Sequence, residues 1–338
     1  MQFGVLPLKR LDGAASFLSV FSFPKHGSKI AVMFGFILIT LFFLAGCTSQ
    51  RGMVSDTDYV ALLPEDADIY LSFPVQDNVH FASQLITTFE PQMTAQDTQK
   101  LTKRFDTIYG AVKGKSFSAV ATGSFPKLGL GFALKEKNGW KKIKDSAIPV
   151  TGSYYQYQNL PFQITFPSSS LMVLSPQVDS LLNSYQQQIG GSLIAEENPL
   201  VQFVSEHEQV FTDNSALSGN NLVGTSIDFY IPDVVSVVLP ILKASLPINL
   251  PLTDLYGSFI PQAHSSDAAE KEGEYTFVGY LGLSDERALK PALTVLKLVT
   301  RGLGLDLTYS SLGASTIKIS GVTLSESVLG DLLKQALQ

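Results

Sequence analysis

Ser315 and Lys318, three positions apart, are the nearest approach in this chain to a hydrolytic nucleophile with its base. A Ser-x-x-Lys pair works when one helical turn brings hydroxyl and amine together. Ala314 to Ser320 alternates like a strand, which sends the two side chains to opposite faces. No Gly-x-Ser-x-Gly elbow is present. Metal ligation is no better served: beyond residue 46 the imidazoles are His80, His207 and His264, with no His-x-x-x-His or Cys/His pair, so no metal is expected. Glu206-His207-Glu208 reads as a solvated helix end, and Asp56, Asp58, Glu65, Asp66 and Asp68 lack the spacing and central glycine of an EF-hand. Gly190-Gly191 and Gly302-Leu303-Gly304 follow helical stretches, where glycine is a stop and not a phosphate cradle. A glycosidase would need two facing carboxylates, and nothing singles out a pair. No catalytic residue and no cofactor is expected from these patterns. The remaining reactive group is the thiol of Cys47, the one cysteine in 338 residues.

The surroundings of Cys47 give that thiol a setting. Lys25, His26 and Lys29 precede fifteen uncharged residues, Ile30 to Leu44, and small Ala45 and Gly46 come just before the cysteine. This is the order of a basic segment, an apolar segment and a small-residue cleavage zone. The run is shorter than the roughly 20 apolar residues of a spanning helix and ends in polar Thr48-Ser49-Gln50-Arg51, so removal after export is expected. Leu44-Ala45-Gly46-Cys47 resembles the lipobox of bacterial lipoproteins at all four positions. That resemblance implies cleavage between Gly46 and Cys47, a diacylglyceryl thioether on the sulfur, and a further acyl chain on the new amino terminus. Two or more chains hold a protein at a membrane stably where one does so only marginally. The expected location is a bacterial cell membrane, anchored and not spanning, facing the periplasm or the exterior. The segment before Lys25 is longer than the pattern needs, and Val5 to Phe23 is itself rather apolar.

Composition narrows the partners. The chain carries 24 Lys and Arg against 30 Asp and Glu, a formal charge of −6, and loss of Lys9, Arg10, Lys25 and Lys29 with the leader makes the rest more acidic. Nucleic acid is not expected as a partner, because phosphate binding rests on clustered basic residues. With 16% charged and 45% apolar residues, the remainder is a folded body. One cysteine also forms no internal disulfide.

These features must be positioned by an α+β fold, mostly antiparallel sheet with flanking helices. Residues 1–46 are the leader, 47–57 a lipidated tether, 58–192 a first α+β half and 193–338 a second. Ile69 to Phe73 reads as a strand ended by Pro74, Val79 to Phe89 and Asp97 to Tyr109 as helices, and Phe117 to Thr122, Lys127 to Lys135 and Trp140 to Ile143 as strands. Asn138-Gly139 between the last two suggests a two-residue hairpin. Phe162 to Phe166 and Leu171 to Leu174 follow as short strands, then a helix from Pro176 to Gln188 capped by Ser175. Three landmarks recur in order: Ile69 to Pro74 against Ile227 to Pro232, Gly123-Ser124-Phe125 against Gly257-Ser258-Phe259, and Val173-Leu174-Ser175 against Thr323-Leu324-Ser325, each of the last two leading into a helix. Repeated halves and two unrelated halves both remain open. Ala61 to Tyr70 also resembles the opening of certain uncharacterised bacterial envelope domains, Leu-x-Pro-x-Asp before a first strand, which implies no reaction.

Two surfaces could do more than pack or face solvent. Lys135, Lys137, Lys141, Lys142 and Lys144 cluster around Trp140, and Lys137, Trp140, Lys141 and Lys142 could touch anionic headgroups. The favoured reading is that these lysines protect a hairpin edge from edge-to-edge association. Val234 to Leu252 has Lys243 as its single charge. Val234, Val235, Val238, Ile241 and Leu242 could line a pocket for an apolar ligand, or form a buried helix capped by Asp233. The function expected is that of a non-enzymatic envelope lipoprotein that binds a lipid-like ligand or a protein partner. The alternatives are a structural surface protein without a small ligand, and a hydrolase whose site only the fold assembles.

Overall fold

The computed structural model describes residues 59–336 apart from 90–93, 127–129, 131–133, 137–138, 159–161, 190–224, 238–249, 263–272 and 303–306. Among these, twelve strands form one antiparallel sheet. They are β1 (Ile69–Pro74), β2 (Phe105–Lys113), β3 (Ser116–Gly123), β4 (Trp140–Lys144), β5 (Ser153–Tyr157), β6 (Gln163–Thr165), β7 (Leu171–Ser175), β8 (Ile227–Ile231), β9 (Leu252–Pro261), β10 (Glu274–Leu283), β11 (Thr308–Leu312) and β12 (Thr316–Ser325). Their order across the sheet is β11-β12-β10-β9-β8-β1-β2-β3-β7-β6-β5-β4. Among the described residues five helices pack on it: α1 (Val79–Phe89), α2 (Ala95–Thr102), α3 (Val178–Ile189), α4 (Leu289–Gly302) and α5 (Glu326–Ala336). The class is α+β, as the residue pattern predicts.

The order reads alike in both directions from the β1–β8 junction. Outward on one side run β1, β2, β3, β7 and β6, and on the other β8, β9, β10, β12 and β11. Leu71 pairs with Phe229 at the centre. Leu71 also faces Gly110 on β2, and Phe229 faces Gly257 on β9. The two Gly-Ser-Phe triplets, by contrast, occupy unequal places: Gly123 ends β3, whereas Gly257 lies inside β9. The division at 192/193 falls outside the described residues.

Strand alternation sorts the core onto two faces. Ala119, Ala121, Met172 and Leu174 point to one side, where Phe81, Ala82 and Ile86 of α1, Leu101 of α2 and Leu329 of α5 cover them. Val120, Leu171 and Val173 point to the other and meet Leu181 and Leu182 of α3. The Tyr70 hydroxyl on this second face donates to the Pro64 carbonyl at 2.7 Å, so the segment before β1 is tied to the sheet. Burial pushes that phenol up to about 12. A third cluster, with Ile231, Val234, Leu281, Ile317 and Ala292 of α4, closes the other end.

At three places the structure differs from, or only partly describes, the local reading. The helix read over Asp97 to Tyr109 stops at Thr102, and Phe105 to Tyr109 belong to β2, because pairing with β1 and β3 overrides the local charge pattern. In the stretch Lys127 to Lys135, read as a strand, the described Leu130 and Leu134 are spaced as in a helix, Leu130 N bonding Pro126 O and Leu134 N bonding Leu130 O, and both are buried, while 127–129 and 131–133 lie outside the described residues. Asn138 of the expected Asn138-Gly139 turn lies outside the described residues, and the strand that β4 is seen to pair with is β5. Gly139, at φ 82°, is the turn into β4.

Candidate functional site

α1, α2 and α5 are brought together by residues far apart in sequence. α1 follows Asn78, a buried side chain whose amide donates to the carbonyls of Pro74 and Thr225, each at 2.8 Å. The Tyr275 hydroxyl donates to Asn78 Oδ1 at 2.7 Å. One amide thus fixes the end of β1, the residue chain entering β8, and β10 around the start of α1. α2 is capped by Thr94, whose hydroxyl accepts from Asp97 N. α5 begins as β12 ends, with Glu326 N donating to Gly273 O at 3.0 Å.

Between these helices lies a groove of about 760 Å³. Val79, Leu85 and Ala95 supply apolar surface, and Phe81 sits under it against Phe73 and Tyr275. Ser83, Gln84, Thr87 and Gln99 give neutral hydrogen-bonding groups. Gly330 of α5 faces α1, with Leu85 and Phe81 3.7 and 3.8 Å from where its Cβ would stand, an ordinary contact distance. At the meeting of α1 and α5, His80 Nδ1 hydrogen-bonds Glu326 Oε2. The Glu326 side chain is 4% exposed and the His80 side chain 67%. Burial and the nearby Glu326 charge push the Tyr275 phenol well above its ordinary range.

The opposite sheet face holds a second ionisable cluster. Asp228 of β8 accepts from the Ser226 hydroxyl at 2.9 Å and lies beside Ser258 and Tyr256 of β9. Burial raises its carboxyl to about 6, although these hydroxyls oppose the shift. Tyr256, buried and facing Asp228, is pushed well up.

The family description "Outer membrane-associated lipoprotein TP0453" matches residues 55–326. The chain belongs to this TP0453 family. It is therefore a membrane-associated envelope lipoprotein. A curated relative, "Outer membrane protein TP0453" of Treponema pallidum (strain Nichols), is 28% identical over 119 residues, 34% of this chain. The match spans 39% of that relative's length. Two solved structures of TP0453, crystal forms III and I, each superpose with a TM-score of 0.57. They are 18% and 19% identical, and the superpositions cover 83% and 84% of this chain and 99% and 100% of theirs. At that identity the likeness is one of fold.

Within this TP0453-family fold the expected site residues scatter. Cys47 and Gly46 lie outside the described residues, as do Lys137, Val238, Ile241 and Leu242. Val234 is buried in the third core cluster, Val235 is exposed, and neither lines the groove. The Asp233 cap is present, with its carboxylate accepting from Ser236 N at 3.1 Å. Lys141 and Lys142 are exposed on β4, the outermost strand, and Lys142 Nζ stands 5.4 Å from the Tyr155 ring centre. Trp140 does not accompany them. It is 1% exposed, packed edge-on against Tyr157, because it takes the inward position of that strand and cannot reach a headgroup. Ser315 precedes β12 and Lys318 lies within it, with its ammonium 5.9 Å from the Tyr280 ring centre and no helical turn joining the two. Among the described residues no group of three metal-ligating side chains occurs and no helix is long and apolar enough to cross a membrane. The groove residues escaped the sequence reading, since His80 and Glu326 stand 246 positions apart and share no motif.

Proposed function

We propose that this protein is a non-enzymatic lipoprotein, anchored through acylated Cys47, whose folded body holds an apolar ligand or a segment of a protein partner in the α1–α2–α5 groove. The observation that carries the reading is the groove itself. A concavity of about 760 Å³ in which apolar surface from Val79, Leu85 and Ala95 lies among hydroxyl and amide side chains is of the size and character that small amphiphiles occupy. The TP0453 family's association with the outer membrane supplies lipids at hand. The lipobox and its position support the anchor. The alternation of the two halves about Leu71 and Phe229 supports an internal duplication, with halves of 58–192 and 193–338.

Solvent extraction of the purified full chain, followed by mass spectrometry, tests the ligand. A stoichiometric lipid that is lost on Gly330→Leu supports the reading. A clean extract combined with no uptake of labelled lipid removes it. Mass spectrometry of the amino-terminal peptide, with Cys47→Ala as control, tests the anchor, and an unmodified terminus elsewhere ends that claim.

A second reading has an observation of its own. Exposed Lys141, Lys142 and Lys144 on the outermost strand of an acidic chain support contact with anionic headgroups when the anchor holds the body close to the bilayer.

A further inference from the structure

The groove has a sign as well as a size. Among the described residues that line it, the charged side chains are Glu326 and Asp331, five positions apart on α5, and none is Lys or Arg. Glu326 is the unusual one. A carboxylate removed from water needs compensation from charge or hydrogen bonds. Among the described residues Glu326 has a single side-chain partner, His80, through one oxygen. The other oxygen is turned toward Gly273, where a Cβ would collide with it and where glycine leaves it room. Among the described residues the buried carboxylate thus has one side-chain partner, at the rim of a groove whose other described lining is mostly neutral.

We infer that the groove selects amphiphiles with a cationic head, an ammonium placed at Glu326 and Asp331 with its hydrocarbon portion along Val79, Leu85 and Ala95. The inference rests on the proposed ligand-binding reading and adds the charge class. A cationic head supplies a direct ion contact to Glu326 beyond the His80 hydrogen bond. An anionic head in the same place would meet two carboxylates and, among the described lining residues, no Lys or Arg. His80, exposed and joined to Glu326 by one nitrogen, is the group that such a head would share or displace.

The test compares three ten-carbon amphiphiles that differ in the head: decyltrimethylammonium, decyl maltoside and decanoate. Each is titrated below its micellar concentration against the full chain held on a sensor surface. Decyltrimethylammonium is expected to bind at least tenfold tighter than decanoate, with the maltoside between them. Glu326→Gln is expected to bring the three within about threefold of one another, and His80→Ala to widen the preference for the cation. If Glu326→Gln does not fold, Thr87→Lys provides the second readout: it adds a cation to the groove from an exposed position on α1 and is expected to weaken decyltrimethylammonium and favour decanoate. Equal binding of all three, or a preference unchanged in a folded Glu326→Gln or in Thr87→Lys, overturns the charge assignment while ligand binding stands. No binding of any of the three removes the ligand reading and this inference together.

Discussion

Leu71 and Phe229 face each other across the β1–β8 junction, and each has a glycine on its other flank, Gly110 and Gly257. The Phe229 ring lies over Gly257 and stacks with Phe259 and Phe277 at 5.6 and 6.3 Å. A Cβ at Gly257 would overlap that ring, so aromatic surface takes the place of a side chain. Gly257→Ala is expected to destabilise the fold by about 1–3 kcal/mol, the usual range for overpacking. Gly330→Ala should do the reverse, by up to about 1 kcal/mol, because its Cβ meets ordinary contact distances inside a helix. Urea midpoints of the two variants should move in opposite directions.

Asp228 should make stability depend on pH between about 4 and 7. Its carboxyl is raised from 3.8 to about 6 in the folded state. The contribution is fully present below the unfolded value and is lost as pH rises through 6. A shift of this size corresponds to roughly 2–3 kcal/mol. Asp228→Asn is expected to raise the urea midpoint at pH 8, change it little at pH 4, and flatten the profile between. A wild-type profile already flat over that range would contradict the assignment.

Asn78 joins three parts of the sheet through one amide, so its loss should exceed that of any single bond. Asn78→Ala strands two carbonyls and the Tyr275 hydroxyl, and a cost of about 2–4 kcal/mol is expected. Tyr275→Phe removes a single bond and should cost about 1 kcal/mol. Thermal unfolding of both variants measures the difference.

Lys141 and Lys142 on the outer strand should keep the protein monomeric. Replacing them with Thr and Val is expected to give concentration-dependent association in sedimentation experiments, whereas Glu at both positions should not, since either charge blunts an open edge. If the Glu variant also loses binding to anionic vesicles, the lysines touch headgroups as well.

Much of this architecture could be read locally. Val79 to Phe89 repeats its apolar residues at helical spacing and becomes α1 with the same ends, and Ile69 to Phe73 becomes β1 up to its proline. Where reading failed, a distant partner outweighed the local signal. Phe105 to Tyr109 continues a polar helical stretch in sequence, yet β1 and β3 offer it a ladder on both sides. Ser153 to Tyr157 gives a weak signal by itself, because all but Tyr157 are only partly buried and it is β4 and β6 that make it a strand.

The residues alone determined the class of fold, the acidic body, the sole thiol in a lipobox-like sequence and the absence of familiar catalytic spacing, all of which depend on near neighbours in the chain. The joining of β1 to β8, the burial of Trp140, and the meeting of His80 with Glu326 beside a groove were decided by tertiary structure. Each of these sets residues tens to hundreds of positions apart against one another, and only packing of the sheet and its helices selects such contacts.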